Sequence, residues 1–338
     1  MHSSRLAVLA LAASLGACAT SNPVPRAAPS PGRWEVLPQG ERPTRRHENG
    51  YVRVGERFYL VGGRGTNPIK PVEIFDPATG AWSAGAAPPV EMHHFQAVEY
   101  GGKIYVVGAM TGGYPREPAL PVIHIYDPAT DRWSTGPEIP ADRRRGGAGA
   151  VVHDGQIYVV AGIQIGHWSG HVTWFDAFDP RTGTWRRLPD APRARDHFQA
   201  AVIDGKLYAA GGRRSSAATN QTFELTVPEV DVFDFATGRW TTLPPSANLP
   251  TPRAGTTSAV VDGRLLVLGG ESAAQQAAHA EVEAYDPLAM RWTTLAPMTV
   301  GRHATQAVLH GGRLYIAAGS RTRGATEINS QEVFGPAK

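Results

Sequence analysis

The chain has 338 residues, of which 42% are apolar, so it is long enough and hydrophobic enough to fold around a sizeable core. Its 33 basic and 30 acidic residues leave a net charge of only +3, which argues against a nucleic-acid-binding protein because such proteins need a concentrated basic face. The 38 glycines and 28 prolines are typical of many short strands joined by many turns.

Residues 1–18 are predicted to be a targeting segment. Its apolar run, Leu6 to Leu15, is too short to span a bilayer core of about 30 Å as a helix. Leu15-Gly16-Ala17-Cys18 resembles a bacterial lipobox, in which Cys18 becomes the lipidated first residue of the mature protein. Because Ala19 rather than Asp follows, this resemblance implies a lipoprotein on the periplasmic face of the outer membrane. An ordinary signal peptide, giving a soluble periplasmic or secreted protein, is the alternative.

Residues 19–32 are predicted to be an extended tether, because four prolines in this stretch fix the backbone and remove hydrogen-bond donors. The folded body is predicted to occupy residues 33–338. Cys18 is the only cysteine of the chain, so this body has no disulfide and depends on packing.

Six tryptophans recur in one sequence context with separations of 48, 51, 52, 55 and 52 residues. They are Trp34, Trp82, Trp133, Trp185, Trp240 and Trp292. A period near fifty residues indicates a ring or stack of repeats. In the unit around Trp240, four short strand-like runs are separated by turn residues such as Asp204-Gly205 and Thr237-Gly238, which predicts a small antiparallel sheet.

Two further marks accompany these tryptophans. A second strand ends in glycines, as in Tyr59-Leu60-Val61-Gly62-Gly63, and a third strand ends in an aromatic-Asp-Pro turn, as in Phe75-Asp76-Pro77. Together the three marks resemble the Kelch repeat over residues 33–334. The resemblance implies an all-β fold, a six-bladed β-propeller in which the first strand of each blade is innermost.

The two ends of the body contain incomplete repeats. Trp34-Glu35-Val36-Leu37-Pro38 matches only the last strand of a repeat, whereas residues 302–334 supply only three strands. We therefore expect the N-terminal strand to complete the last blade and close the ring, which leaves no exposed sheet edge at the junction.

Near the start of the innermost strand, one register of the six blades carries mainly arginine. The residues are Arg46, Met92, Arg145, Arg195, Arg253 and Arg302. One interpretation is that the five guanidinium groups rim an opening and bind an anion, together with His94 and His197 two residues further on. The alternative is that this arginine belongs to the repeat and bonds to backbone or acidic groups between blades.

The loops between second and third strands are expected to open on the same face. They carry Arg64, Tyr114, Arg116, His167, Trp168, His171, Arg213, Arg214, Glu271, His279, Arg321 and Arg323. An exposed Trp168 would offer a stacking surface for a sugar or an aromatic partner. His167 and His171 have no third ligand near them in sequence, so no metal site and no cofactor are predicted.

The acid–base candidates are Glu48, Asp196, Glu271, His94 and His197. A carboxylate beside several arginines should have a lowered pKa and be ionised, which suits a base. Among these groups Glu271 is the best catalytic candidate.

Two functions follow from the resemblance. Galactose oxidase-like Kelch enzymes are excluded, because their cofactor needs a cysteine and the folded body has none. Leu268-Gly269-Gly270-Glu271 is similar to the loop that carries the essential Glu of N-acetylneuraminate epimerases, which implies sugar mutarotase activity. Ala277 stands where that family has an Arg, so Arg253 or Arg302 would have to replace it. We expect the other function: binding of an anionic glycan, acidic sugar, peptide or envelope protein at an arginine-rich mouth, with membrane contact only through the lipid.

Overall fold

A computed structural model describes residues 32–38, 40 and 42–336. Cys18, the signal segment and the tether up to residue 31 lie outside the described residues. The strands in chain order are β1 (Gly32–Val36), β2 (Gly50–Val54), β3 (Arg57–Val61), β4 (Glu73–Asp76), β5 (Ala81–Ala84), β6 (Val98–Tyr100), β7 (Lys103–Val106), β8 (Val122–Asp127), β9 (Arg132–Glu138), β10 (Gly149–His153), β11 (Gln156–Val160), β12 (Ile163–Ile165), β13 (Ser169–His171), β14 (Phe175–Asp179), β15 (Thr184–Leu188), β16 (Ala200–Ile203), β17 (Lys206–Ala209), β18 (Asp231–Asp234), β19 (Arg239–Thr242), β20 (Thr257–Val261), β21 (Arg264–Leu268), β22 (Val282–Asp286), β23 (Arg291–Thr294), β24 (Ala307–His310), β25 (Arg313–Ala317) and β26 (Gln331–Pro336). The described part of the chain also has three 3₁₀ turns, at Ala141–Arg143, Ala217–Thr219 and Pro245–Ala247.

Within the described residues, 24 of the 26 strands form six four-stranded antiparallel sheets, and β12 and β13 form a separate hairpin. Blade I contains β2 to β5, blade II β6 to β9, blade III β10, β11, β14 and β15, blade IV β16 to β19, and blade V β20 to β23. Blade VI contains β24, β25, β26 and β1. The predicted all-β, six-bladed propeller is confirmed.

Ring closure occurs as the incomplete end repeats predict. Strand β1 is antiparallel to β26 and places Trp34 opposite Phe334, with their ring centroids 5.3 Å apart. The indole N–H of Trp34 donates to the carbonyl of Ala296 at 3.0 Å. Four other repeat tryptophans make the same contact: Trp133 with Ala86, Trp185 with Glu138, Trp240 with Pro189 and Trp292 with Ala247. In these five blades the indole on the outermost strand therefore fastens the blade to the preceding one.

Apolar side chains fill the spaces between blades. The described residues contain six buried clusters, each made by two successive blades. At the junction of blades VI and I, for example, Phe58 packs against Phe75 and Tyr315 with centroids 5.7 and 5.1 Å apart. Since strands expose alternate residues to opposite faces, each blade contributes to two clusters.

The five arginines of the innermost-strand register are structural, so their predicted place at an open mouth is wrong. Arg46, Arg145, Arg195, Arg253 and Arg302 are all at most 2% exposed. Each donates to a backbone carbonyl after the second strand or within it, and each forms an ion pair with a carboxylate of its own blade. The pairs are Arg46–Glu73, Arg145–Asp176, Arg195–Asp231, Arg253–Glu283 and Arg302–Glu332. A buried guanidinium whose donors are used in this way cannot bind an incoming anion.

None of the helical turns in the described part of the chain is long and apolar enough to cross a membrane.

Candidate functional site on the propeller axis

The starts of the six innermost strands meet at the axis. Two residues after the arginine register, every blade has a backbone φ between 52° and 63°, the left-handed region. The residues are Glu48, His94, Gly147, His197, Gly255 and Ala304, which we call the hub. The N–H of each hub residue from His94 to Ala304 donates to the hub carbonyl of the preceding blade, at 2.6–3.2 Å. Three hub side chains, Glu48, His94 and His197, thereby reach the axis.

Above the hub lies a cavity of about 440 Å³. Its wall includes Glu48 and His94 from the hub and Arg64, Tyr114, His167, Phe223, Glu271 and Glu327 from positions after the second strands. The prediction that these loops open on the axial face is confirmed for Arg64, Tyr114, His167 and Glu271. This volume lies within the range of small-molecule sites.

Glu271 is an anion fixed on three sides. Arg213 donates to its Oε1 at 2.6 Å, the N–H of Gly324 donates to Oε2 at 2.8 Å, and Nε2 of His303 lies 3.4 Å from Oε2. Burial alone would raise the pKa of Glu271, but His303 and Arg213 hold it at about 2. The expected ionised carboxylate is confirmed at this position.

The pKa of Glu48 is shifted in the opposite direction, upward. Burial raises the pKa of Glu48 to about 8, and the negative charge of Glu271 adds to this against the opposing effects of Arg213 and Arg64. Two carboxyl groups of one cavity therefore have widely separated pKa values. The expectation of a lowered pKa is wrong for Glu48, because neither arginine is close enough to form an ion pair with it.

Three buried histidines converge beside Glu48. The centroids of the His94 and His167 rings are 5.0 Å apart, those of His94 and His197 4.9 Å, and those of His167 and His197 4.5 Å. One nitrogen of each ring lies within 4.8 Å of the other two, which is the spacing of groups able to hold a metal ion. The reasoning that found no third ligand for His167 considered only its neighbours in sequence. In space His94 and His197 supply two further imidazoles, whereas His171 is not part of this group.

Carboxylates hold two of these rings. Nδ1 of His167 is 3.1 Å from Oε2 of Glu117, and Nδ1 of His197 is 2.5 Å from Oδ1 of Asp196. Burial lowers the pKa of His197 to about 4 and lowers that of His94 further below the ordinary value, so both imidazoles are neutral at neutral pH. Glu117 was not among the predicted site residues. It follows a tyrosine and a proline in an irregular loop, and no repeat position or motif marks it.

The rim of the cavity carries aromatic rings and cations. Tyr114 is 55% exposed, and the guanidinium of Arg323 lies 5.3 Å from the ring centroid of Phe223. Trp168 is not the open stacking surface that was expected, because the guanidinium of Arg116 covers its ring at 3.6 Å. Four arginines of these loops have no ion-pair partner among the carboxylates of the described residues: Arg116, Arg214, Arg321 and Arg323.

Three other predicted residues take no part in the cavity. His279 is buried and bonds to Ser272 at 2.9 Å and to Glu281 at 3.1 Å. Neither Arg253 nor Arg302 replaces the arginine that is missing at Ala277, because both are paired with carboxylates of their own blades. The guanidinium beside Glu271 belongs to Arg213.

The chain is similar to several characterised families and structures. The KLHDC2/KLHL20/DRC7 Kelch-repeats domain matches residues 112–319, and the Kelch motif matches residues 45–89. Kelch-like protein terF of Aspergillus terreus is 30% identical over 328 residues, which cover 91% of this chain and 69% of that protein. Human Kelch-like protein 23 is 26% identical over 82% of this chain, and the match spans 46% of that longer protein.

The solved structure of YjhT superimposes with a TM-score of 0.71 at 17% identity, covering 86% of this chain and 94% of that one. At this identity the likeness shows the fold alone. The two Kelch matches and the relative from Aspergillus show more: this chain is a member of the Kelch-repeat family.

Proposed function

We propose that the chain is a binding protein whose axial cavity takes an anionic ligand, namely an acidic sugar or the acidic end of a glycan. The observation that carries this proposal is a cavity of about 440 Å³ that opens between loops bearing arginines without carboxylate partners in the described chain. A concave site of this size suits a sugar better than the flat surface of a folded protein.

The charge of the rim supports an anion. Arg116, Arg214, Arg321 and Arg323 belong to the loops that supply the cavity wall, and their charge would attract a carboxylate before it enters the cavity. Arg64 lies deeper, with its side chain 22% exposed and one nitrogen 2.8 Å from Glu117. Its remaining donors are available to a carboxylate or hydroxyl of a ligand.

The aromatic rings support a sugar. Tyr114 and Phe223 line the cavity, and sugar faces pack against aromatic rings. Glu48, Glu271 and Glu327 in the same wall provide acceptors for hydroxyl groups. A hydroxylated anion would therefore find both kinds of partner.

The test is calorimetric titration of the full chain with N-acetylneuraminate and with the neutral sugar N-acetylmannosamine, followed by an array of acidic and neutral glycans. We expect the acidic sugar to bind and its affinity to fall with added salt. Arg321→Ala combined with Arg323→Ala should weaken binding by about tenfold, because charges at or near the surface contribute up to about 1 kcal/mol each. Arg239→Ala, on an outermost strand, is the matched control.

Equal binding of neutral and acidic sugars, or salt-independent affinity, contradicts the proposal. Capture of an acidic peptide or an envelope protein without any sugar binding would assign the face to a protein partner instead.

A second candidate is mutarotation of N-acetylneuraminate or a related acidic sugar. It is favoured by the position of Glu271 in the axial cavity with Arg213 bonded to it at 2.6 Å. Saturation-transfer NMR measures the exchange between the α and β forms. Acceleration by the wild-type chain that is lost in Glu271→Gln supports catalysis, and equal rates for protein and buffer exclude it.

We also propose that the protein is anchored in the cell envelope through Cys18, on the periplasmic face of the outer membrane. The lipobox-like sequence before Cys18 and the proline-rich stretch after it support this location. Mass spectrometry of the mature N-terminus should show acylated Cys18, and Cys18→Ser should leave the membrane fraction. A wild-type protein that is soluble and begins after residue 19 would favour the ordinary signal peptide.

A further inference from the structure

We propose that His94, His167 and His197 bind one divalent transition-metal ion of the zinc class at the base of the axial cavity. The three residues come from three segments of the chain. His94 and His197 are hub residues of blades II and IV, and His167 lies in the hairpin of β12 and β13 that folds toward the axis from blade III. All three are at most 7% exposed.

The separation of the rings fits a shared ion. Their candidate ligand nitrogens lie within 4.8 Å of one another. In a tetrahedral zinc site with Zn–N bonds of about 2.0–2.1 Å, the ligand nitrogens are about 3.3 Å apart. Rotation of the imidazoles about their side-chain torsions is the movement that would bring the nitrogens to this spacing.

The tautomers of two rings follow from their carboxylate partners. Asp196 and Glu117 accept hydrogen bonds, so Nδ1 of His197 and Nδ1 of His167 carry the protons. In a neutral imidazole the other nitrogen, Nε2, is then unprotonated and has a free lone pair. A carboxylate behind the ligand ring is the usual companion of a metal-binding histidine, since it fixes the ring and increases its basicity.

The tautomer of His94 follows from a chain of two hydrogen bonds. Nε2 of His93 lies 3.0 Å from the carbonyl oxygen of Gly112, which can only accept, so His93 is protonated at Nε2. Nδ1 of His93 is therefore an acceptor, and Nδ1 of His94, 2.5 Å away, donates to it. Nε2 of His94 is left with a lone pair, as in the other two rings.

Two of these nitrogens are unsatisfied. Nε2 of His94 and Nε2 of His197 are buried and make no hydrogen bond in the described part of the chain. Oε1 of Glu48 is 3.3 Å from Nε2 of His94, outside hydrogen-bond geometry but next to where an ion would lie. Buried polar atoms without partners are rare, and a metal ion would satisfy both at once.

The donor set selects the metal. Three imidazoles with carboxylates nearby and no thiolate suit Zn²⁺, Co²⁺, Ni²⁺ or Cu²⁺ rather than Mg²⁺ or Ca²⁺, which prefer oxygen ligands. Three histidines occupy three of the four positions of a tetrahedral zinc ion, which leaves the fourth for a bound ligand, water or the neighbouring carboxyl of Glu48. His94, His167 and Glu48 all line the cavity, so that position faces the space where a ligand would bind.

The experiment is a titration of the full chain, freed of metal by a chelator, with Co²⁺ and then with Zn²⁺. We expect one Co²⁺ per chain with the visible absorption of four-coordinate cobalt, its loss on addition of Zn²⁺, and a melting temperature that rises with Zn²⁺. His167→Ala should weaken binding by more than about 100-fold, and Glu117→Gln or Asp196→Asn by about 10- to 100-fold. His171→Ala is the matched control, since it lies in the same hairpin outside the cluster, and should bind as the wild type does.

No organic ligand is added, so the result does not depend on sugar binding. The sugar titration is repeated in chelator, which separates failure of one proposal from failure of the other. His197→Gln provides a second test if His167→Ala does not fold. The proposal is overturned if the wild type binds Co²⁺ no more tightly than His167→Ala, or if His171→Ala weakens binding equally.

Discussion

Replacing Arg253 tests whether the register arginines stabilise the blades to which they belong. The guanidinium of Arg253 donates to the carbonyls of Gly269 at 2.5 Å, Thr251 at 2.6 Å and Val267 at 3.0 Å, and to Oε2 of Glu283 at 2.5 Å. Arg253→Met keeps most of the side-chain volume and removes every one of these donors. The only remaining side-chain donor to Glu283 among the described residues is the hydroxyl of Thr251, at 2.8 Å.

The cost follows from the buried charge that remains. Removing one member of a buried ion pair typically destabilises a protein by about 3–5 kcal/mol, and an unsatisfied buried carbonyl adds roughly 1–3 kcal/mol. Water entering the space would reduce the second contribution. We therefore expect Arg253→Met to lower the free energy of unfolding by about 4 kcal/mol or more. This is a large part of the roughly 5–15 kcal/mol that stabilises a typical domain.

Urea unfolding followed by tryptophan fluorescence and circular dichroism measures this change. Arg239→Met, an exposed arginine on β19, should alter the free energy of unfolding by less than about 0.5 kcal/mol. Arg253→Met with Glu283→Leu should recover part of the loss, because the charge that lost its partner is removed as well. A loss below about 1 kcal/mol for Arg253→Met, together with weakened sugar binding, would show that this guanidinium serves the ligand and not the fold.

Three further predictions concern closure, crowding and acid stability. Deleting residues 32–36 removes β1 and leaves one edge of β26 unpaired, which should cost about 5 kcal/mol, roughly 10 °C or more in melting temperature. Deleting residues 19–31 should cost little, and equal losses contradict strand closure. Gly269→Ala should lower the free energy of unfolding in urea by at least about 2 kcal/mol more than Gly238→Ala does. Both glycines have a positive φ, but only a Cβ at position 269 would meet the carbonyl of Arg302. Equal losses would show that the backbone around Gly269 can move aside. The pKa of Glu271 is about 2 in the folded chain, against an ordinary 4.5. Its carboxylate therefore contributes about 3 kcal/mol to the free energy of unfolding above pH 4.5, and this contribution is lost as the pH falls toward 2. The stability of the wild type relative to Glu271→Gln should therefore shrink across that window, and a constant difference would contradict the lowered pKa.

The fold was predictable because each blade repeats the same local chemistry. Trp34 could be assigned to the last blade from the sequence. The segment around it matches the outermost strand of a repeat without the three strands that should precede it, and the C-terminal repeat has three strands without an outermost one. The contact of its indole with Ala296 matches those of the complete repeats. Six copies of one pattern restrict the arrangement far more than a single set of strand propensities does.

The role of the arginines was also present in the sequence. Two residues before the aromatic of the third strand, five blades carry an acid, and the blade with Met92 in place of arginine carries His124 instead. Arginine and carboxylate are therefore present together or absent together, as expected of ion-pair partners. Comparing the two columns would have chosen the structural interpretation before any coordinates were known.

The cavity could not be predicted in the same way. His94 and His197 share a repeat register, but His167 lies on a hairpin found in blade III, and Glu117 lies in a loop of blade II. Their approach depends on how two irregular loops fold over the hub. Loop conformation is set by tertiary contacts such as the hydrogen bond from the His167 N–H to the carbonyl of Pro115, which no sequence period reports.

The arginine register serves the fold, whereas the hub residues supply the side chains of the site. The arginine register is nearly uniform because every blade needs the same ion pair, whereas the hub residues two positions later differ from blade to blade. Three of them have little or no side chain, and this leaves room for their neighbours: a Cβ on Gly147 would lie 3.3 Å from the N of His197, and one on Gly255 would lie 3.2 Å from the Cβ of His303. Glycine or alanine in blades III, V and VI thus allows Glu48, His94 and His197 to occupy a narrow axis without steric conflict. Because the hub is held by backbone hydrogen bonds, its side chains can differ while the ring stays the same, which is why one scaffold can hold unrelated sites.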